Sequence, residues 1–529
     1  MGLLRRSGGS RGAGTHAAVR LPVALALLAV AVLGCAPSGG GRSDPLPGPG
    51  GRLDPIYDFT LSWPEAVVVV GGLTYVGVTV DLAVAFEDAS VRDADLEFRA
   101  PVTVVSVVAG GVVQTFAVLQ PIVMTGTLDG PHLATDLFGS IQFGTANLVM
   151  SLDGTLADDR RTLEGTAAIY GTSTPGTFAA VRRRRYLVAG SDLASTVGQV
   201  ALVERRYDSQ ATLRENLETI SSDPAARVTD GRPFVVNRLS YDNLQGLDPA
   251  SDFKTVLQDT TGNGSNPHDL EVLPGNGSTA GIAWVTRYEP PYDDVAFYDL
   301  DDGGLLGSVD LVPYATNADG LPRADQILAH DGLLYVTLQD ANRNFTVFGN
   351  GRVAVIDPAT RAVVSVIDLA GQNPFESLEY APSTGLIYVG LAGIFPGLRP
   401  QALTGGIEVI DPETRQSRGL LVDDDDLGGN VSAVAVISAA RGYAVVSDAS
   451  FHTRIRAFDV ATGEVLGTIY ETNDLISTMI ADGDGDLLVA ERNSFSPRLL
   501  IFKGDDGQPL AALPLSIPPL SLAILTRSL

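Results

Sequence analysis

Hydrophobic positions fall in short, strand-length runs along almost the whole chain. From Ile56 onward, apolar residues alternate with polar ones or cluster for a few positions, then stop at Gly, Pro, Asn or Asp. Between 56 and 183 the segments are 66–70, 75–86, 102–108, 112–118, 122–128, 146–156, 163–170 and 176–182. Turn signals separate them, among them Gly110-Gly111, Asp129-Gly130, Asp153-Gly154 and Pro175-Gly176. No stretch carries the helical period of an amphipathic helix. This pattern predicts an antiparallel β domain over 56–183, closed as a small barrel or folded as a sandwich, and loosely similar to lipocalin-like barrels.

From Tyr186 the pattern repeats. One unit reads Gly351-Arg352-Val353-Ala354-Val355-Ile356-Asp357-Pro358-Ala359-Thr360, and others run 295–300, 406–414 and 455–463, with a weaker copy at 499–507. The aligned aspartates Asp299, Asp357, Asp411 and Asp459 recur at intervals of about 50 residues. Each unit has two more strand-like segments upstream, such as 326–329 with 333–337 and 377–380 with 386–390. Four strands per unit at that period is the signature of a propeller blade.

The turn at 355–360, the Asn-Pro steps at 266–267 and 373–374, and strands such as Leu334-Tyr335-Val336-Thr337 and Ile387-Tyr388-Val389-Gly390 resemble the YVTN-type bacterial surface propeller repeats. The resemblance covers most of 184–529, fits worst near 186–266, and implies seven blades and extracytoplasmic binding or display. The expected fold class is therefore all-β: a seven-bladed β-propeller over 184–529, preceded by the small β-barrel or β-sandwich domain. The segment 518–525 resembles the start of a blade, whereas Tyr186-Leu187-Val188 reads as a second strand. Pairing between them would close the ring and remove an open edge.

The first 55 residues break the pattern. Arg5, Arg6, Arg11 and Arg20 precede an apolar run from Leu21 to Leu33, shorter than the ~20 residues of a spanning helix. Val32-Leu33-Gly34-Cys35 resembles the lipobox of bacterial lipoprotein signal peptides, and Cys35 is the only cysteine in the chain. The resemblance implies cleavage of residues 1–34, a lipid on the Cys35 thiol, and a membrane anchor in the cell envelope, most simply at the outer membrane. Residues 36–52 are Gly, Pro and Ser with almost no large apolar residue, which makes 35–55 a tether. With Cys35 acylated no disulfide is available, so packing and hydrogen bonds must hold the fold.

Charge narrows the partners. The formal net charge is −26, which disfavours a phosphate-backbone partner. The one dense basic run, Arg182 to Arg185, sits at the expected domain junction. Alternate arginines of this run are expected to face solvent and pair with carboxylates of the acidic neighbouring domain; the alternative is a patch for nucleic acid or anionic lipid.

Propellers bind near the ends of their innermost strands, and the Asn-Pro steps align those ends. They give His268, Asp269, Asp325, Glu376, Ser432, Ser477 and Ser521 as a candidate axial ligand site. Asp269, Asp325 and Glu376 would form an acidic mouth able to hold a hard cation such as calcium. Alternatively, these side chains cap strand starts and bond backbone amides of the next blade. Asp482-Gly483-Asp484-Gly485-Asp486 lacks the later ligands of a calcium loop and reads as a hairpin turn; 423–426 reads as a solvated acidic loop. His132, His268, His330 and His452 show no metal-ligand spacing, and no nucleophile elbow or phosphate loop appears. The expected function is a non-enzymatic module binding a protein, glycan or small molecule. The long connections 337–352 and 391–405 are the natural recognition loops. The alternative is a metal-assisted hydrolase or lactonase using His268 and the axial carboxylates.

Overall fold

The computed structural model describes residues 56–525, apart from 71–72, 88–93, 101–102, 110–111, 119–121, 130–131, 136–138, 144–145, 158–160, 170–174, 193–196, 208–210, 230–231, 240, 275–280, 396–399, 483–484 and 494. The expected lipidation site at Cys35, the expected signal segment and the expected tether lie outside the described residues. Those residues are almost entirely β-strand; the one α-helix is a single turn, Asp424–Leu427. No described helix is long and apolar enough to cross a membrane.

Six four-stranded antiparallel sheets follow one another from Pro224 to Pro514, each built from four consecutive strands in a propeller arrangement. Their innermost strands are Pro224–Thr229, Pro267–Leu273, Ala324–His330, Pro374–Ala381, Asn430–Ser438 and Leu475–Ala481. The last strand, Pro519–Ile524, pairs with the second half of the long strand Gly176–Ser191, in the register Tyr186↔Ile524 to Ala189↔Ser521. That half also pairs with Val197–Arg206, which pairs with Thr212–Ser221. The second-strand character expected of Tyr186 to Val188 follows from this order.

Apolar clusters join sheet to sheet all the way round. Tyr186, Val188 and Val203 pack with Leu488, Ala490 and Leu499 of the last sheet. On the other face, Leu187, Leu202 and Ala523 pack with Ala226, Val235 and Leu247 of the next. The repeated tyrosines explain the sequence period. Tyr335 and Tyr443 are buried, and their hydroxyls donate to the carbonyls of Pro412 (3.3 Å) and Gly504 (2.8 Å), each in a turn of the following sheet. The aligned aspartates close the turns after the third strands: Asp299, Asp357, Asp411 and Asp459 each accept from the amide two residues on, at 2.8–3.0 Å.

The first half of Gly176–Ser191 pairs with Ile56–Val70 on one side and Thr162–Ile169 on the other. The hydrogen-bonded path Ile56–Val70, Leu73–Glu87, Ala94–Ala100, Ile122–Asp129, His132–Thr135, Ala146–Leu156, Thr162–Ile169, Gly176–Ser191 returns to its first strand. Strict alternation buries Tyr57, Phe59, Leu61 and Trp63, with Phe178 and Ala180 facing them. Gly176 and Gly154 make room for two of these rings. A Cβ on Gly176 would lie 2.3 Å from the Trp63 ring, and one on Gly154 2.5 Å from Phe178.

The strand Gly176–Ser191 runs unbroken through the expected boundary at 183–184, so both regions share one strand. Its arginines therefore sit differently from expectation. Arg182 and Arg184 continue the inward face and are buried, Arg183 pairs with Asp58 and Glu204, and none of the four is exposed. The acidic segment 423–426 also departs from the solvated-loop expectation. Asp423 caps the helical turn, and Asp424 is buried, accepting from the Gly405 amide at 2.9 Å. Burial pushes the Asp424 carboxyl up to about 6, despite that amide.

Candidate functional site

The innermost strands begin on the face of the propeller where the second strands end, and there the chain departs from regular pairing. Asn266, Arg323 and Asn373, each just before an innermost strand, have left-handed backbones with φ of 45°, 56° and 59°. Pro267 and Pro374 follow, at a first strand position where no donated hydrogen bond is lost. Extra residues then interrupt the ladder between Pro267 and Leu270, Ala324 and Ile327, Pro374 and Leu378, Val431 and Ala433, and Ile476 and Thr478. Such bulges re-aim side chains. Here they turn out His268 and Asp269, Asp325, Glu376, Ser432 and Ser477.

The predicted residues divide into two sets. Asp269, Asp325 and Ser521 stitch neighbouring innermost strands together. The Ile327 amide donates to Asp269 Oδ2 (3.1 Å), the Glu376 amide to Asp325 Oδ2 (2.6 Å) and the Ala226 amide to Ser521 Oγ (2.9 Å). Asp269 is also bound by the Arg227 guanidinium. His268, Glu376, Ser432 and Ser477 instead line an axial cavity of about 680 Å³. Among the described residues, no three imidazoles and carboxylates come together in a way that could hold a metal ion. Each of the proposed calcium ligands Asp269, Asp325 and Glu376 has another partner.

The cavity walls are largely aromatic and aliphatic, with polar groups grouped among them. Phe345 and Phe348 come from the connection after Leu333–Leu338, and Ile394 and Phe395 from the one after Leu386–Leu391. These are the two long connections singled out in the sequence. Arg238 donates to Asp223 Oδ1 (2.8 Å) and Glu376 Oε1 (3.0 Å). Burial alone would lower the Arg238 pKa, but those two carboxylates outweigh it and raise it. Arg323 pairs with Glu289 at 2.6 Å and lies over the Tyr288 and Phe345 rings.

His268 stacks on Tyr288 with centroids 3.9 Å apart and planes 2° from parallel. Its Nδ1 is 2.6 Å from Asp325 Oδ1, and its Nε2 is 3.2 Å from the amide nitrogen of Asn266. Asp325 is fully buried. Burial pushes its carboxyl up, but the His268 hydrogen bond and charge, the Glu376 amide and Arg238 together hold it below its ordinary value. Nδ1 thus faces the buried Asp325 carboxylate, and Nε2 faces the side-chain amide of Asn266.

Sequence reasoning missed Asp223, Arg238, Tyr288, Gln339 and Arg492, all of which line the cavity. Four of them sit where a second strand ends or just beyond, at positions with no shared residue type from repeat to repeat. The usable signal was positional, since Arg238, Tyr288 and Gln339 each directly follow a second strand.

No known protein family matches the sequence, and no curated protein matches it. Solved structures resemble part of the chain. A Bacteroides fragilis protein proposed to be a 6-phosphogluconolactonase is 12% identical with a TM-score of 0.45, over 65% of this chain and 98% of its own. A functionally unknown protein from Desulfotomaculum acetoxidans is 13% identical with a TM-score of 0.42, over 64% and 98%. The hydrazine synthase of Kuenenia stuttgartiensis is 13% identical with a TM-score of 0.40, over 62% and 95%. Likeness at this level concerns the fold alone.

Proposed function

We propose that this chain is a lipid-anchored extracytoplasmic binding protein whose axial cavity takes a small organic ligand. In this reading, the strands Pro519–Ile524, the second half of Gly176–Ser191, Val197–Arg206 and Thr212–Ser221 form a seventh blade. The closed path of strands before it is a barrel fused to that blade. Cys35 ties the assembly to the envelope through its lipid, in keeping with the extracytoplasmic display that the resemblance to YVTN-type repeats implies.

The observation that carries the reading is the cavity itself. Its size suits a small molecule, its walls are apolar, and a few polar groups are held in fixed positions by bulges and ion pairs. The test is thermal melting of the full chain, and of Ser432→Phe, with the small-molecule fraction of a cell-envelope extract. Ligand binding to the folded state raises Tm. A rise in the wild type that the filled cavity abolishes supports the reading; equal behaviour of the two chains overturns it.

A second reading, hydrolysis at the axial mouth, draws on the His268–Asp325 pair. An imidazole oriented by a buried carboxylate and facing a cavity has the arrangement of a general base. It predicts turnover of small esters or lactones by the wild-type chain that His268→Asn abolishes.

A further inference from the structure

The cavity's hydrogen-bonding groups are unequally used. Its carboxylates are answered: Arg238 occupies Asp223 and Glu376, and Arg323 pairs with Glu289. The groups left buried without a partner can all donate. They are Nε of Arg238, Nε2 of Gln339, Oγ of Ser432, and both Nε and Nη2 of Arg492. Gln339 is only 2% exposed, and its amide is oriented by the Tyr288 hydroxyl, 2.5 Å from Oε1.

Arg492 is the most telling of these. It ends the strand Asp486–Arg492, lines the cavity, and makes no ion pair among the described residues, although Arg238 nearby has two. Nε and Nη2 form one edge of the guanidinium, the edge that grips a carboxylate through two parallel hydrogen bonds. A buried donor left unmade costs about 1–3 kcal/mol, more when charged. A cavity whose own carboxylates are paired and whose Arg492 edge is open is arranged for an acceptor from outside.

We propose that the cavity ligand is an organic carboxylate, held by the Nε–Nη2 edge of Arg492 and by Gln339, with its apolar body among Leu239, Phe345, Phe348 and Leu475. The inference rests on the binding-protein reading above and names the ligand class for that site.

The test measures binding of phenylbutanoate, phenylbutanamide and phenylbutylamine to the full chain by calorimetry. The acid is expected to bind about tenfold tighter than the amide, as one charge-assisted bidentate contact allows. Arg492→Met should bring acid and amide to equal affinity, and Arg492→Lys should keep part of the preference. Gln339→Glu should lower acid binding through charge while sparing the amide. Equal binding of all three probes overturns the inference and leaves the binding-protein reading standing. Preference for the amine, an acid preference that survives Arg492→Met, or no binding of the acid also overturns it. If the envelope extract fails to raise Tm as well, the binding-protein reading falls separately.

Discussion

Two regions of this molecule take charged groups out of water, and they do so in opposite ways. Where the strands before the propeller meet its last sheet, Asp486 is fully buried and receives Arg161 at 3.0 Å and Arg205 at 2.5 Å. Beside it, Tyr186 donates to Asp482 at 2.8 Å. Both arginines also lie over the Tyr207 ring. Charge answers charge there, and the network ties regions 281 to 325 residues apart in sequence. In the axial cavity, by contrast, the carboxylates are paired while Arg492 and Gln339 keep unused donors. At the junction the buried carboxylate and its arginines pair within the chain; in the cavity the Arg492 guanidinium meets no carboxylate of the described residues, as the proposed binding site requires.

The largest effect should come from opening the closed network. Asp486→Ala leaves Arg161 and Arg205 without their buried carboxylate and should cost about 3–5 kcal/mol, read by denaturant unfolding. A loss no larger than that of a surface ion pair would show that the junction does not hold the regions together. Next comes a carboxyl with little support. Glu379 lies further along the innermost strand that carries Glu376, and burial pushes it up to about 8 against one opposing amide, that of Val436. Its folded pKa is raised above the ordinary 4.5. Stability should therefore fall as pH rises from about 4.5 to about 8 and level off above. Glu379→Gln should raise Tm more at pH 8.5 than at pH 5; an equal shift at both would remove burial of the charge as the cause.

Smaller effects sharpen the contrast. Tyr443→Phe loses the 2.8 Å bond to Gly504 and should cost about 1 kcal/mol. Arg492→Met should change stability by less than that, or raise it, because no protein partner is lost and an unsatisfied charge is relieved. Destabilisation of Arg492→Met on the scale of Asp486→Ala would place Arg492 in a structural network and erase the distinction between the two regions.

Much of this was legible in the sequence. The Val-Ile-Asp-Pro-Ala-Thr turn and the strand tyrosines mark the sheets because each does the same physical job in several copies. The pairing of Pro519–Ile524 with Tyr186 to Ala189 was legible because 518–525 has the pattern of a strand that opens a sheet and 186–188 that of a second strand. The Asn-Pro alignment located the bulged strand starts, and four of its seven residues reach the cavity. It did not separate His268 and Glu376, which face the cavity, from Asp269 and Asp325, which bond the neighbouring strand. Adjacent residues in a bulge point differently, and spacing alone cannot sort them. Arg238 and Arg492 stayed invisible for another reason: they stand outside the residue types that repeat from sheet to sheet. The burial of Arg182 and Arg184 was hidden because the strand Gly176–Ser191 serves two regions at once and keeps its inward face through both.

The most direct test of the central claim, that the axial cavity is a binding site, is native mass spectrometry of the full chain and Ser432→Phe after exposure to a cell-envelope extract. The account predicts one small molecule held at unit stoichiometry by the wild type and absent from the filled variant. A ligand retained equally by both, or by neither, would contradict it.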